Sequence, residues 1–136
     1  MNNGRFAISV HILTLLASTP DEWCSSEYLS GSININPVLV RKELINLRNH
    51  GLVISKEGKS GGSMLAKAPE LIAMSDIYEA IRQEHFLGKG VNEPNPQCPV
   101  GLQINNHLDA LYKESERALM NSLGSTTLAE FCQKFV

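Results

Sequence analysis

A chain of 136 residues, 43% hydrophobic and 19% charged with a formal net charge of −2, has the length and composition of one soluble globular domain. Its longest apolar stretch, FAISVHILTLLA, is twelve residues and interrupted by His11, Ser9 and Thr14, well short of the roughly 20 needed to span a bilayer. MNNGRF at the start carries one positive charge and no small-residue cleavage pattern follows, so a secretory signal is not expected and a cytoplasmic location is.

In chain order, the dense apolar residues from Arg5 to Ser18 predict a mostly buried first helix, stopped by Thr19-Pro20-Asp21, with His11 expected as a satisfied core or interface residue. Ser25 or Ser26 can cap a second helix that has Tyr28 and Leu29 turned inward and Gly31 at its end. Asn36-Pro37 is an N-cap followed by proline at the first helical position, and it predicts a third helix. Val40, Leu44 and Leu47 face its core side, Arg41, Lys42, Ile45, Arg48 and Asn49 lie elsewhere on its surface, and Gly51 closes it. Leu52 to Ser55 and Met64 to Ala66 then read as strands of a hairpin around the loop KEGKSGG. Ser75 is expected to cap a helix over Asp76 to Glu84, with Ile77, Ala80 and Ile81 inward. A loop from Leu87 to Gln97 precedes a long helix over Pro99 to Leu123, in which Ile104, Leu108, Leu111, Ser115, Ala118 and Ser122 recur at heptad spacing. Thr126-Thr127 can cap a last short helix through which Phe131 and Phe135 pack.

Charge is unevenly spread. Residues 36 to 67 hold six Lys and Arg against two Glu, while the rest of the chain holds six against twelve acidic residues, the pattern of a protein with one face toward a polyanion. Three helices and a hairpin in this order describe a mostly α fold with a small β-hairpin wing: a winged helix-turn-helix DNA-binding domain plus a long C-terminal dimerisation helix. The domain is expected over 1–84, with the recognition helix at about 36–50 and the wing at about 52–67, followed by a loop at 85–97 and the dimerisation helix and C-terminal segment at 98–136.

Recognition helices read base edges in the major groove from their N-terminal residues. Asn36, Val38, Arg41 and Lys42 occupy that end: Arg41 suits a bidentate pair with guanine, Lys42 a phosphate or guanine, Val38 a thymine methyl. Lys56, Lys59 and Ser60 suit phosphates or the minor groove, with Gly58, Gly61 and Gly62 permitting close backbone approach. The expected partners are double-stranded DNA, a second copy of the chain through Ile104, Leu108, Leu111 and Ala118, and a small-molecule or protein effector near the 87–97 loop; no membrane partner is expected. A winged helix serving as a protein-interaction adaptor is the alternative, separable by its weak dependence on salt. Paired carboxylates, a Ser/His/Asp pattern and a phosphate loop are all missing, so no enzyme and no catalytic residue is expected.

The residues Leu47, Gly51-Leu52-Val53, Gly58, Gly61-Gly62 and Leu65-Ala66 form the pattern L-x-x-x-G-L-V followed by G-x-x-G-G-x-x-L-A. In this segment and in element order along nearly its whole length, the chain resembles the bacterial Rrf-two family of winged-helix regulators (IscR/NsrR/CymR-like). The resemblance implies a dimer on a dyad-symmetric operator, third helix in the major groove and wing at the minor groove. Cluster-binding members carry three closely spaced cysteines in the loop before the dimer helix. Here that loop holds Cys98 alone, with Cys24 and Cys132 distant, so an iron-sulfur cluster is not expected, nor any other cofactor. The histidines at 11, 50, 85 and 107 lack ligand spacing, and no metal is expected. Cys98, ahead of Pro99 at a helix start, is instead a candidate redox sensor, set against an inert packed thiol.

Overall fold

The computed structural model describes residues 4–82, 87 and 92–136. Of the loop expected over 85–97, residues 85, 86 and 88–91 lie outside the described residues; the helix expected to reach Glu84 ends at Ile81 instead, with Arg82 extended at φ −66° and ψ 144°, and positions 83 and 84 lie outside the described residues. Six helices and one two-stranded sheet are described: α1 (Arg5–Ser18), α2 (Ser26–Ile33), α3 (Pro37–Asn49), β1 (Val53–Lys56), β2 (Gly62–Leu65), α4 (Met74–Ile81), α5 (Pro99–Gly124) and α6 (Leu128–Cys132), with short 3-10 turns at Pro69–Leu71 and Gln133–Phe135. Among the described residues no helix is long and apolar enough to cross a membrane.

The core gathers around α1. Ile12 and Leu13 from α1, Leu29 from α2, Val40 and Leu47 from α3, Val53 from β1, Ile72 and Ile77 around α4, and Leu128 from α6 have essentially no exposed surface. Each such side chain contributes about 1.5–3 kcal/mol on leaving water. His11, expected as a core or interface residue, is exposed and so not in the core; the buried face of α1 passes through Val10, Ile12, Leu13 and Leu16. The Thr14 hydroxyl donates to the Val10 carbonyl (2.7 Å) and that of Ser18 to the Thr14 carbonyl (2.8 Å), which lets polar residues sit in this apolar helix.

Two expectations for α2 are corrected. Tyr28 is 51% exposed while Leu29 alone of the two turns inward. Gly31 lies inside the helix, which ends at Asn34, in the left-handed conformation at φ 64°, its N–H bonded to the Ser30 carbonyl (2.7 Å). Asparagine tolerates that conformation better than other non-glycine residues. The cap at the start is Ser25, whose Oγ accepts from the Tyr28 N–H (3.1 Å).

Asn36 caps α3 as expected, its Oδ1 accepting from the Val38 N–H (2.8 Å) ahead of Pro37, and Gly51 follows the helix at φ 75°. The hairpin is antiparallel with Val53 opposite Leu65 and Lys56 opposite Gly62, displaced by a residue or two from the expected strands because pairing sets the strand ends. α4 starts one residue before Ser75, which is therefore not its cap; the Asp76 carboxylate accepts from the Ala73 N–H (2.9 Å). The C-terminal segment returns to this point. Met74 N–H bonds the Thr126 carbonyl (2.9 Å) and Leu128 N–H the Ile72 carbonyl (2.7 Å), and α6, capped by Thr127 and Glu130, packs on α1. Phe131 and Phe135 meet edge-to-face with ring centres 5.5 Å apart.

Glu43, on α3 among the cationic residues, is only 4% exposed. Its two oxygens accept from Arg5 Nε (2.7 Å) and Nη2 (2.9 Å), a bidentate pair between α1 and α3. The hydrogen bond to Glu43 pushes the Arg5 guanidinium pKa up, outweighing the opposing effect of burial.

Candidate nucleic-acid interface

The surface of α3 divides by helical spacing. Val38, Lys42, Ile45 and Asn49 follow one another along one exposed stripe, and Arg41 and Arg48, seven residues apart, lie on a neighbouring one. Val38 is 59% exposed, an apolar residue held in water at the start of the helix. The ion pairs among the described residues are Arg5–Glu43, Arg82–Glu79 and Arg82–Glu116; Arg41, Lys42, Arg48, Lys56 and Lys59 take part in none of them. The helix thus presents three unneutralised cations while its one carboxylate, Glu43, is turned into the core and paired.

The wing is fastened to the turn between α1 and α2. Cys24 N–H bonds the Ser63 carbonyl (3.0 Å) and Ser63 N–H the Cys24 carbonyl (2.8 Å), so Cys24 acts as a third, single-residue strand. This explains two of the glycines. At Gly62 (φ 152°) a side chain would collide with the Cys24 carbonyl, and at Gly61 with the carbonyl of Lys56. Both are required by the chain's own backbone, whatever approach of DNA they also permit. Gly58, at φ 102°, faces open space.

Two hollows flank the wing. One, of about 210 Å³, lies between α3 and the hairpin and brings Arg41 and Arg48 together with Ser26, Ile45 and Ser55. The other, of about 450 Å³, gathers Lys59, Ser60 and Gly61 of the hairpin tip with Trp23, Ser25 and Tyr28. Lys56 Nζ lies 5.9 Å from the Trp23 ring centre in a cation–π contact, which holds this lysine against the α1–α2 turn. In the sequence Arg48 is a surface residue of the third helix open to a DNA contact or an internal ion pair, and Ser26, Trp23 and Tyr28 carry no reading as site residues. The seven-residue spacing from Arg41 marked Arg48 as sharing its face; nothing local marked the other three, which reach the surface only through the docking of the wing on Cys24.

Of the remaining predicted positions Cys24 borders this surface, lining the hollow at the hairpin tip, and the others lie apart from it. Cys98 is exposed at the N-cap of α5, Cys24 is buried with Sγ 3.1 Å from Thr19 Oγ1, and Cys132 is half-buried beside α1, where burial pushes its thiol pKa up against a lowering contact with Thr14. The three thiols belong to three separate parts of the fold, and among the described residues no group of three or more His, Cys, Asp or Glu side chains is arranged to hold a metal. Of the expected dimer positions on α5, Ile104 and Leu108 are half-buried and Leu111 and Ala118 exposed.

A three-helix unit whose third helix carries free cations beside a docked hairpin is the architecture of the winged helix-turn-helix transcription regulators. The chain belongs to the Rrf2 family within that class, whose description is iron-dependent transcriptional regulator and which matches residues 2–134. It is 38% identical over 130 residues, 96% of each chain, to a Bacillus subtilis protein that carries the name HTH-type transcriptional regulator YwnA. Its fold is similar to that in a crystal structure described as a DNA-binding protein, with a TM-score of 0.76 at 35% identity over 93% of this chain and 97% of the other. It is also similar to the fold of CymR, the global cysteine regulator of B. subtilis, with a TM-score of 0.73 at 21% identity over 98% and 97%. The metal ligands that an iron-dependent description calls for are not brought together by the described residues.

Proposed function

We propose that this protein is a cytoplasmic, non-enzymatic repressor that binds double-stranded DNA as a homodimer on a two-fold operator. The observation that carries the proposal is the clustering of cations: Arg41, Lys42 and Arg48 stand on the exposed side of α3 beside Lys56 and Lys59 of the wing, none of them in a described ion pair, while Glu43 of the same helix is buried and paired with Arg5. In this mechanism α3 enters the major groove. Arg41 pairs with a guanine edge, Lys42 takes a phosphate or guanine, and Val38 meets a thymine methyl. Asn36 spends its Oδ1 on the Val38 N–H and keeps its amide N–H groups for the DNA. Lys59 and Ser60 reach the flanking backbone or minor groove with the turn at Gly61, and Lys56 does so from its place over Trp23. The Arg41–Arg48 hollow suits a backbone phosphate between helix and wing.

α5 supplies the pairing of two copies through Ile104, Leu108, Leu111 and Ala118, and so sets the spacing of the two recognition helices. Cys98 is exposed at its start, open to oxidants, and we assign it as the candidate sensor. An effector other than an oxidant is the competing signal. Release from DNA on oxidation that persists in Cys98→Ser removes the thiol from consideration.

Selection from a random DNA pool by the reduced protein at near-physiological salt tests the central proposal. The expected result is a palindrome with half-sites about one helical turn apart, not recovered with Arg41→Ala/Lys42→Ala. Failure to enrich any sequence, together with salt-insensitive association with another protein, favours the adaptor alternative.

A further inference from the structure

Val38, Arg41, Lys42 and Arg48 stand on the exposed side of α3, and the helix can offer them to base edges only at one rotation about its axis and one axial position. A rotation of about 20° shifts a side-chain end, about 5–6 Å from the axis, by about 2 Å, more than a bidentate pair with a base tolerates. The apolar residues beneath, Val40, Leu44 and Leu47, are buried and hold the helix to the core through contacts that have no direction.

Two polar side chains on the inner side of α3 supply that direction. The Glu43 carboxylate accepts from Arg5 Nε (2.7 Å) and Nη2 (2.9 Å) at the start of α1. One turn further on, Asn46 Nδ2 donates to the Ala80 carbonyl (2.7 Å) in the last turn of α4, where helix carbonyls run out of intrahelical donors. Glu43 is buried and Asn46 half-buried, and helical spacing sets them side by side along the edge of the apolar stripe nearest Lys42. Their partners belong to two different helices, 38 residues back and 34 residues on in the chain. A hydrogen bond weakens steeply as its angle closes, so a twist or slide of α3 that apolar packing absorbs breaks one of these contacts.

We propose that Glu43 and Asn46 are positioning residues for sequence recognition: with Arg5 and the Ala80 carbonyl they fix the rotation and axial position at which α3 offers Val38, Arg41 and Lys42 to the bases, without touching DNA themselves. This rests on the reading of α3 as the recognition helix and assigns its selectivity, as distinct from its attraction to phosphate, to the two contacts behind it. Apolar residues at 43 and 46 would extend the stripe of Val40, Leu44 and Leu47, and a buried ion pair is seldom more stabilising than such a replacement, so what the polar contacts contribute is a single geometry.

The test uses the full-length protein and three variants. Arg5→Met/Glu43→Leu removes the first contact with both of its charges, Asn46→Leu removes the second and strands no charge, and the third variant combines all three substitutions. Dissociation constants are measured across salt concentrations for the operator recovered by selection and for an unrelated duplex of the same length, beside thermal melts. The ratio of the two constants is expected to fall about fivefold in each of the first two variants and at least about twentyfold in the combination. Binding to the unrelated duplex is expected to stay within about twofold of wild type, with an unchanged slope of log K against log salt, since no cation of the DNA face is lost. Asn46→Leu carries the test alone if the exchange of Arg5 and Glu43 unfolds the chain. An unchanged ratio in either variant, once melts show it folded, overturns the proposal. So does an equal loss on both duplexes with a lower salt slope, which makes these residues part of the electrostatic contact. A wild type that binds DNA with salt-dependent affinity and no selectivity overturns the reading of α3 itself, and the proposal with it.

Discussion

Replacing Arg5 with alanine leaves the Glu43 carboxylate, 4% exposed, without either of its two charge-assisted hydrogen bonds. Breaking a buried pair by removing one partner costs about 3–5 kcal/mol, because the other charge is left uncompensated. The Arg5 side chain is 24% exposed, so water can enter the space it vacates and the lower end, about 3 kcal/mol, is expected. For a chain of this length that is a fall in Tm of roughly 10 °C. Glu43→Gln keeps an acceptor for Arg5 and strands no buried anion, and its cost is expected at about 1–2 kcal/mol. In the double variant Arg5→Met/Glu43→Leu no charge remains to be desolvated, and stability is expected to return to within about 1 kcal/mol of wild type. Urea denaturation of Arg5→Ala, Glu43→Gln and the double variant measures all three. A loss below about 1 kcal/mol in Arg5→Ala, or a double variant as unstable as Arg5→Ala, would refute the argument that this pair clamps α1 to α3.

Gly62→Ala is expected to cost about 2 kcal/mol, because φ is 152° and the new methyl meets the Cys24 carbonyl. Gly58→Ala, with backbone strain but open space, is expected to cost less, and the reverse order in urea melts would contradict the docking of the wing on Cys24. Arg48→Ala is expected to weaken DNA binding evenly across sequences and to lower the slope of log K against log salt by about 0.9, as one lost phosphate contact requires. Arg41→Ala is expected to alter which half-site is preferred; an unchanged slope for the first or an unchanged preference for the second removes the role assigned to it. Burial raises the Cys132 thiol pKa, so the folded state holds its proton more tightly than the unfolded chain. Stability from this source is complete below the ordinary thiol value of about 8.5 and is lost as pH rises through it toward the raised value. Melts between pH 7.5 and 9.5 are expected to show that decline in wild type and a shallower one in Cys132→Val; equal slopes would assign it elsewhere. Tyr78, also raised by burial, titrates above this range.

The elements legible in the sequence are those whose signals act over one or two turns. Asn36-Pro37 and Gly51 bound α3 because capping and a left-handed glycine are local events, and of the pair Thr126-Thr127 it is Thr127 that caps α6, with Glu130 reciprocating. What local pattern could not supply is where two distant backbones meet. Glu43 enters the sequence reading only as one of two acidic residues between 36 and 67, and its burial follows only from Arg5, 38 residues earlier. Tyr28 and Leu29 are adjacent apolar residues on a two-turn helix, and the packing of α3, not the sequence of α2, decides that Leu29 alone turns in. Ser26, Trp23 and Tyr28 join the site because the Cys24–Ser63 bridge folds the α1–α2 turn against the wing, a pairing across 39 residues.

These long-range contacts share a feature that bears on regulation. Arg5 ties the start of α1 to α3, and Cys24, just beyond its end, ties the following turn to β2, while the body of α1 packs on α4 and α6. Both parts of the candidate DNA surface are thus referred to one helix, α3 at its start and the wing past its end. A rigid helix of 14 residues is about 21 Å long, so a tilt about its middle moves the two anchors in opposite directions. The angle between α3 and the wing, on which simultaneous contact with major groove and flanking backbone depends, rests on the direct packing of α3 against β1 and on the seating of α1, and the apolar groove on the other side of α1, lined by Phe6, Val10, Leu15, Met74, Phe131 and Phe135, is a place where that seating can be changed.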